Sequence, residues 1–136
     1  MAQKTTIAKI YDDLVNALEG IVERKLIFAQ RPDIKEAEQD MMTKFIVVDL
    51  PVSIEDMVVG KNKFHLTTTG VFYLISKAKK NRTFNITSLS DFTEEVTDKF
   101  PISGEYIAAT NPVVLSRGVD EYGYQIVTIT FDIHNK

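Results

Sequence analysis

The 136-residue chain contains no cysteine, so disulfides, thiolate metal sites and cysteine nucleophiles are excluded. It also lacks a dominant charge: 16 basic residues stand against 19 acidic ones, a net charge of −3. This balance gives no reason to expect a nucleic-acid binder held by bulk positive charge. No stretch approaches the ~18 apolar residues of a membrane span, and the N-terminus lacks the apolar core of a signal peptide. We therefore expect a soluble, intracellular protein that does not associate with a membrane.

Length and composition fit one domain. The chain is 44% hydrophobic and 26% charged, and a domain typically holds about 100–200 residues, so residues 1–136 are expected to form a single unit. Apolar residues recur at spacings of three and four over residues 6–20 and 85–100, which predicts two amphipathic helices. Thr5 or Thr6 can cap the first helix, and Ser88 with Asp91 fits a capping box in the second.

Strands are predicted at residues 25–30, 43–50, 63–76, 112–116 and 124–133 from runs of β-branched, aromatic and alternating side chains. The acidic stretch from Asp33 to Met42 is interpreted as a long polar loop. The order α-β-β-β-α-β-β predicts an α+β fold, with an antiparallel or mixed sheet of about four to five strands and both helices packed on one face.

The strand predicted over residues 63–76 is long for so small a protein. At ~3.3 Å per residue it spans roughly 40 Å, whereas a compact chain of this length has a radius of gyration of about 14 Å. The strand must therefore bend at Gly70, or part of it must project as an arm. A projecting strand can extend the sheet of a neighbouring subunit through main-chain hydrogen bonds that need little sequence specificity.

Signatures of catalysis are missing from the sequence, which contains neither a Gly-x-Ser-x-Gly motif nor a glycine-rich phosphate loop. Asp132 and His134 share a face of the last predicted strand, but two ligands do not complete a metal site, and a solvated strand surface is the favoured interpretation. Asp12 and Asp13 diverge around the first helix and predict a solvated face. We expect no enzyme activity, no cofactor and no metal.

One basic cluster is present, formed by Lys77, Lys79, Lys80 and Arg82. Four such charges can contact phosphates with an affinity that falls steeply with salt. A lysine-rich turn that follows an apolar strand more often keeps that strand soluble. The second interpretation is preferred from the sequence, although a protein that touches DNA in passing would have a similar cluster.

A long strand ends in Phe72-Tyr73-Leu74-Ile75, a helix follows over residues 88–100, Pro112 opens another strand, and Gly123-Tyr124 opens the last one. In this order, in its length, in its N-terminal amphipathic helix and in the lack of catalytic residues, the chain resembles the tail terminator and tail-completion proteins of long-tailed bacteriophages. The resemblance implies a virion structural protein that assembles in the host cytoplasm. It also implies a homo-oligomeric ring, commonly of six subunits, with the tail tube and head connector as partners and DNA only as passing cargo.

Rings are built from heterologous interfaces, in which one surface of a subunit meets a different surface of the next. The long strand and the tip of the last hairpin supply the predicted interface residues, which are Phe64, Leu66, Tyr73, Asp120 and Tyr122.

An alternative function is a small-ligand binding module or an enzyme, with an apolar pocket between the helices and the sheet. His65, Tyr73 or Tyr106 would then be its polar groups. A closed cavity lined by these side chains would favour ligand binding, whereas exposed sheet edges would favour assembly.

Overall fold

A computed structural model describes residues 6–21, 25–26, 44–49, 55–58, 64–81 and 83–135, with the side chains of residues 25–26, 55–58 and 64–67 outside the description. These residues form two helices and seven strands, which are α1 (Ile7–Ala17), β1 (Lys25–Leu26), β2 (Lys44–Asp49), β3 (Glu55–Val58), β4 (Phe64–Lys77), α2 (Ile86–Thr97), β5 (Ile102–Ser103), β6 (Ile107–Val119) and β7 (Tyr124–Asn135). In this part of the chain, neither helix is long and apolar enough to cross a membrane.

All the strands join one sheet in the order β1-β2-β4-β7-β6-β5, and β3 also pairs with β4. Every pairing is antiparallel except that of β1 with β2, which is parallel. The α+β prediction is therefore confirmed, with a mixed sheet.

The described residues form seven strands where the sequence predicts about four to five, and the two additional strands are β3 and β5. They have only four and two residues, too few to give a recognisable alternation. The first predicted strand, over residues 25–30, is observed at Lys25–Leu26. Its remaining residues and the stretch from Asp33 to Met42 lie outside the described residues.

Both helices pack on the same face of the sheet, as predicted. Thr6 caps α1 by accepting a hydrogen bond from the Lys9 backbone N–H. The capping box predicted for α2 is wrong, since Asn85 is the N-cap and its side chain accepts from the Ser88 N–H. The helices and the sheet enclose one main core, whose fully or almost fully buried residues include Ile10, Leu14, Leu18, Ile46, Phe72, Phe92, Val96, Ile129 and Phe131.

The long strand is confirmed, since β4 has 14 residues. Residues 67–77 pair with β7 along one edge, and on the other edge β2 pairs with residues 71–76 and β3 with residues 64–67. Residues 64–66 thus extend past the last β7 pair, Thr67 with His134. Gly70 leaves room for the Phe131 ring of β7 to pack against the β4 backbone, because a Cβ atom at position 70 would lie 2.6 Å from that ring.

The other face of the sheet has a smaller buried cluster. It contains Phe45, Val47, Ile75, Tyr124 and Ile126, with Tyr73 packed against it. Since residues 45–48 are fully buried, β2 is covered on both faces, as its continuous apolar run predicts.

Candidate functional site

Within the described part of the chain, the outer edge of β6 is an open sheet edge from Thr110 onward. β7 pairs with one side of β6 along its length, whereas on the other side β5 pairs only with Ala108 and Ala109. From Thr110 to Val119 this outer side meets no strand among the described residues. An edge of this kind presents unpaired N–H and C=O groups to another chain.

The centre of this edge is apolar on both faces. The exposed fractions of Val113, Val114 and Leu115 are 60%, 45% and 49%. Val114 lies opposite Ile129, a residue of the main core, so it points to the helix side of the sheet. Its two neighbours point to the other side. We call residues 113–115 the edge segment.

The helices leave the edge segment uncovered. They pack mainly on β2, β4, β5 and β7, and on β6 the described residues that enter the main core are the first ones, Ile107 and Ala109. Soluble proteins rarely leave a run of consecutive apolar residues exposed on an edge strand, because such an edge invites pairing with another chain. The edge segment is therefore a candidate interaction site.

Two irregularities bracket the edge segment. The register with β7 shifts between Thr110 and Val113 and again between Ser116 and Gly118. Asn111 has a φ of 58° and Gly118 a φ of 93°, the left-handed conformation that such bulges use. Between them, residues 113–116 keep a regular register, so the edge offers four consecutive residues for pairing.

The sequence predicts a strand at residues 112–116 but does not single out residues 113–115 as an exposed edge. Composition does not distinguish an exposed edge strand from a buried one. The available signal was Pro112, because proline within a sheet is found at edges, strand starts and bulges.

The predicted interface residues lie in different environments. Tyr73 is half-buried in the smaller cluster. The Asp120 carboxylate accepts the N–H groups of Tyr122 and Tyr124, each at 2.9 Å, and so shapes the β6–β7 turn. The Tyr122 side chain is 41% exposed at the same turn. Asp120 and Tyr122 are thus brought together, whereas Tyr73 lies along β4 opposite Thr128 of β7. The side chains of Phe64 and Leu66 lie outside the described residues.

Asp13 is buried, contrary to the predicted solvated face. Its side chain is 5% exposed, and its carboxylate accepts the backbone N–H groups of Glu105, Tyr106 and Ile107 at 3.1, 2.8 and 3.0 Å. The contact ties α1 to the start of β6, a long-range pairing that helical periodicity cannot reveal. Burial, with a smaller contribution from the charge of Asp12, raises the pKa of the neighbouring Tyr11 phenol.

The side chains of Asp132 and His134 are both hydrogen-bonded to side chains of β6. The His134 Nε2 lies 2.9 Å from the Thr110 hydroxyl, and Asp132 accepts from the Asn111 amide at 3.0 Å. No cluster of three or more histidine, aspartate or glutamate side chains able to hold a metal occurs in the described part of the chain.

The ligand-binding alternative predicts a cavity lined by His65, Tyr73 or Tyr106. Three open grooves of about 330, 350 and 410 Å³ lie on the described surface, and neither tyrosine lines any of them. Tyr106 instead packs beneath the Lys9 ammonium, 4.8 Å from the ring centroid, and the His65 side chain is not described.

No protein-family model matches the chain, and a search of the curated proteins finds no match. The function has to be inferred from the geometry of the chain itself.

Proposed function

We propose that this chain is a structural subunit that acts by assembly and not by turnover. Copies join through the free edge of β6 into a closed ring, of the kind that tail terminator and head–tail joining proteins of long-tailed phages form. The observation that carries the proposal is the edge segment, in which three consecutive apolar residues are exposed on a strand whose outer edge pairs with no other described strand.

The energetics favour many copies over an isolated pair. Complete burial of one valine or leucine side chain stabilises by about 1.5–3 kcal/mol, so covering three half-exposed ones contributes about 2–4 kcal/mol. Each main-chain hydrogen bond adds roughly 1 kcal/mol, while association costs at least about 4 kcal/mol. One edge contact is therefore weak. A closed ring gives every subunit two contacts, which makes weak interfaces cooperative.

A ring also needs a second, different surface for the edge segment to meet. The β3–β4 hairpin lies on the other side of the sheet, where residues 64–66 of β4 extend beyond β7. We assign Phe64 and Leu66 to this second surface. The β6–β7 turn, with Asp120 and Tyr122, is left to contact the tail tube or head connector. In this proposal the protein reaches the virion after assembly in the host cytoplasm, and DNA passes through the ring as cargo.

The decisive experiment is mass measurement of the purified protein by light scattering or native mass spectrometry. We expect a single species at an integral multiple of 15.4 kDa. The Val114→Lys variant should associate at least about tenfold more weakly, because it places a charge where the partner strand packs. Ile86→Lys is the matched control: Ile86 is an exposed apolar residue, 71% accessible, on α2, and this variant should assemble normally.

Each outcome bears on a separate part of the proposal. A monomer at high concentration would refute assembly, and normal assembly of Val114→Lys would refute the β6 edge as the interface. A ring that does not cap purified tail tubes of the encoding phage in electron micrographs would leave assembly standing and refute the tail role. Circular dichroism should show that both variants fold, because each site is already exposed.

A further inference from the structure

A groove of about 330 Å³ lies where the end of β4 meets the β6–β7 turn. Its walls are residues 77–80 on one side and residues 121–123 on the other. The Ala78 N–H donates to the Gly123 carbonyl at 2.9 Å, and the Lys79 N–H donates to the Thr83 carbonyl at 3.0 Å. The groove is therefore built from two segments that the backbone holds against each other. We call it the lysine groove.

Three lysines, at positions 77, 79 and 80, give the groove its charge, and their side chains are exposed. Among the described residues none of the three ammonium groups has a carboxylate within 4.0 Å. The Lys77 ammonium lies 5.8 Å from the ring centroid of the buried Tyr124, which limits where it can point. Among the described residues, Glu121 is the one carboxylate that lines the groove. The neighbouring Asp120 carboxylate accepts hydrogen bonds from the backbone of its own turn.

We infer that the lysine groove is a contact site for the phosphate backbone of duplex DNA. Lysine is a compact, strongly hydrated point charge that suits phosphate contact without base recognition. The groove lies between two turns and presents no helix that could enter the major groove and read bases. Three closely spaced cations are best matched by duplex DNA, which carries a phosphate charge about every 1.7 Å along its axis.

The contact should be weak and salt-sensitive. Three phosphate contacts predict a slope of about −2.7 for log affinity against log salt concentration. Affinity should therefore fall about 40-fold between 50 and 200 mM salt. A contact this weak would let DNA slide past. The inference does not rest on the assembly proposal, although a ring would repeat the groove in every subunit.

The test is fluorescence anisotropy of a short labelled DNA duplex with the full-length protein. We expect binding at 50 mM salt that declines at least about 40-fold by 200 mM. The combined variant Lys77→Gln, Lys79→Gln, Lys80→Gln should lose at least about tenfold in affinity and most of its salt dependence. The control Lys99→Gln changes an exposed lysine in a different groove and should bind as the wild type does.

No binding at 50 mM salt would overturn the inference, as would unchanged binding by the combined variant. Preference for vesicles of anionic lipid over the duplex would also overturn it. Light scattering on the same samples keeps the two proposals apart: a monomer that binds DNA through the groove refutes only the ring, and a ring that ignores DNA refutes only this site.

Discussion

Asp13 offers the sharpest test of how the chain is held together. Its carboxylate lies against the backbone of residues 104–107: one oxygen accepts from Tyr106 and Ile107, and the other accepts from Glu105. Gly104 permits this approach, because a Cβ atom at that position would lie 2.6 Å from the carboxylate oxygen Oδ2. One side chain from α1 thus satisfies three donors at the entry to β6.

The cost of removing this contact follows from the three bonds. A hydrogen bond to a charged group contributes about 1.5–3 kcal/mol. Asp13→Ala loses all three hydrogen bonds. Because only the bond from Ile107 is fully buried, water can replace part of the loss, and we expect about 3–5 kcal/mol of destabilisation. Asp13→Asn can keep the two bonds to one oxygen while its NH₂ group opposes the Glu105 N–H, so it should cost about 1–2 kcal/mol.

The assay is urea unfolding followed by circular dichroism, at one fixed protein concentration because assembly makes stability concentration-dependent. Asp12→Ala is the matched control: Asp12 is the exposed neighbour and should change the free energy of unfolding by less than about 0.5 kcal/mol. The order of stability should be wild type and Asp12→Ala, then Asp13→Asn, then Asp13→Ala. If Asp13→Ala has the same free energy of unfolding as Asp12→Ala, the Asp13 carboxylate does not hold α1 to the sheet.

Two further predictions concern the interior. Gln125 is fully buried, and its side-chain amide hydrogen-bonds to the backbone N–H and C=O of Asn85 and to a serine hydroxyl. Gln125→Met should therefore lower the free energy of unfolding by about 1–3 kcal/mol. If this variant is as stable as the wild type, solvent can replace the bond to the Asn85 N–H. Gly70→Ala places a methyl group against the Phe131 ring and should cost about 1–3 kcal/mol. In thermal unfolding, adding Phe131→Leu to Gly70→Ala should recover part of the lost stability. If it recovers none, the strain does not come from the Phe131 ring.

Periodicity located the elements whose burial is encoded locally. The stripe of Ile10, Leu14 and Leu18 on α1 is fully buried, as spacings of three and four require. The apolar run at residues 45–48 is likewise buried on both faces. In these segments the apolar residues cover one side of a helix or both sides of a strand. Such surfaces must be buried for the element to be stable, so the apolar pattern of the sequence matches the observed burial.

The exposure of the edge segment and the partners of the Asp13 carboxylate could not be predicted in this way. Residues 113–115 are as apolar as residues 46–48, yet β2 lies between β1 and β4, whereas β6 has β7 on one side and, beyond Ala109, no described strand on the other. Helical spacing puts Asp13 on the same face as Ile10 and Leu14, whereas Asp12 faces away. The donors that the Asp13 carboxylate meets are more than 90 positions away in the chain. The exposure of the edge segment and the partners of Asp13 are decided by topology, which no short window of sequence contains.

The charge distribution links the two proposals. The chain carries −3 in total, and the three lysines of the lysine groove contribute +3, so the rest carries −6. A polyanion is then attracted at the groove and repelled by the net negative charge of the rest of the chain. Attraction at the groove combined with repulsion by the rest of the chain keeps each DNA contact brief. The proposed ring requires such brief contacts, because DNA must move through it. Because the edge segment is apolar and the groove is basic, salt should weaken DNA contact while leaving subunit association largely intact.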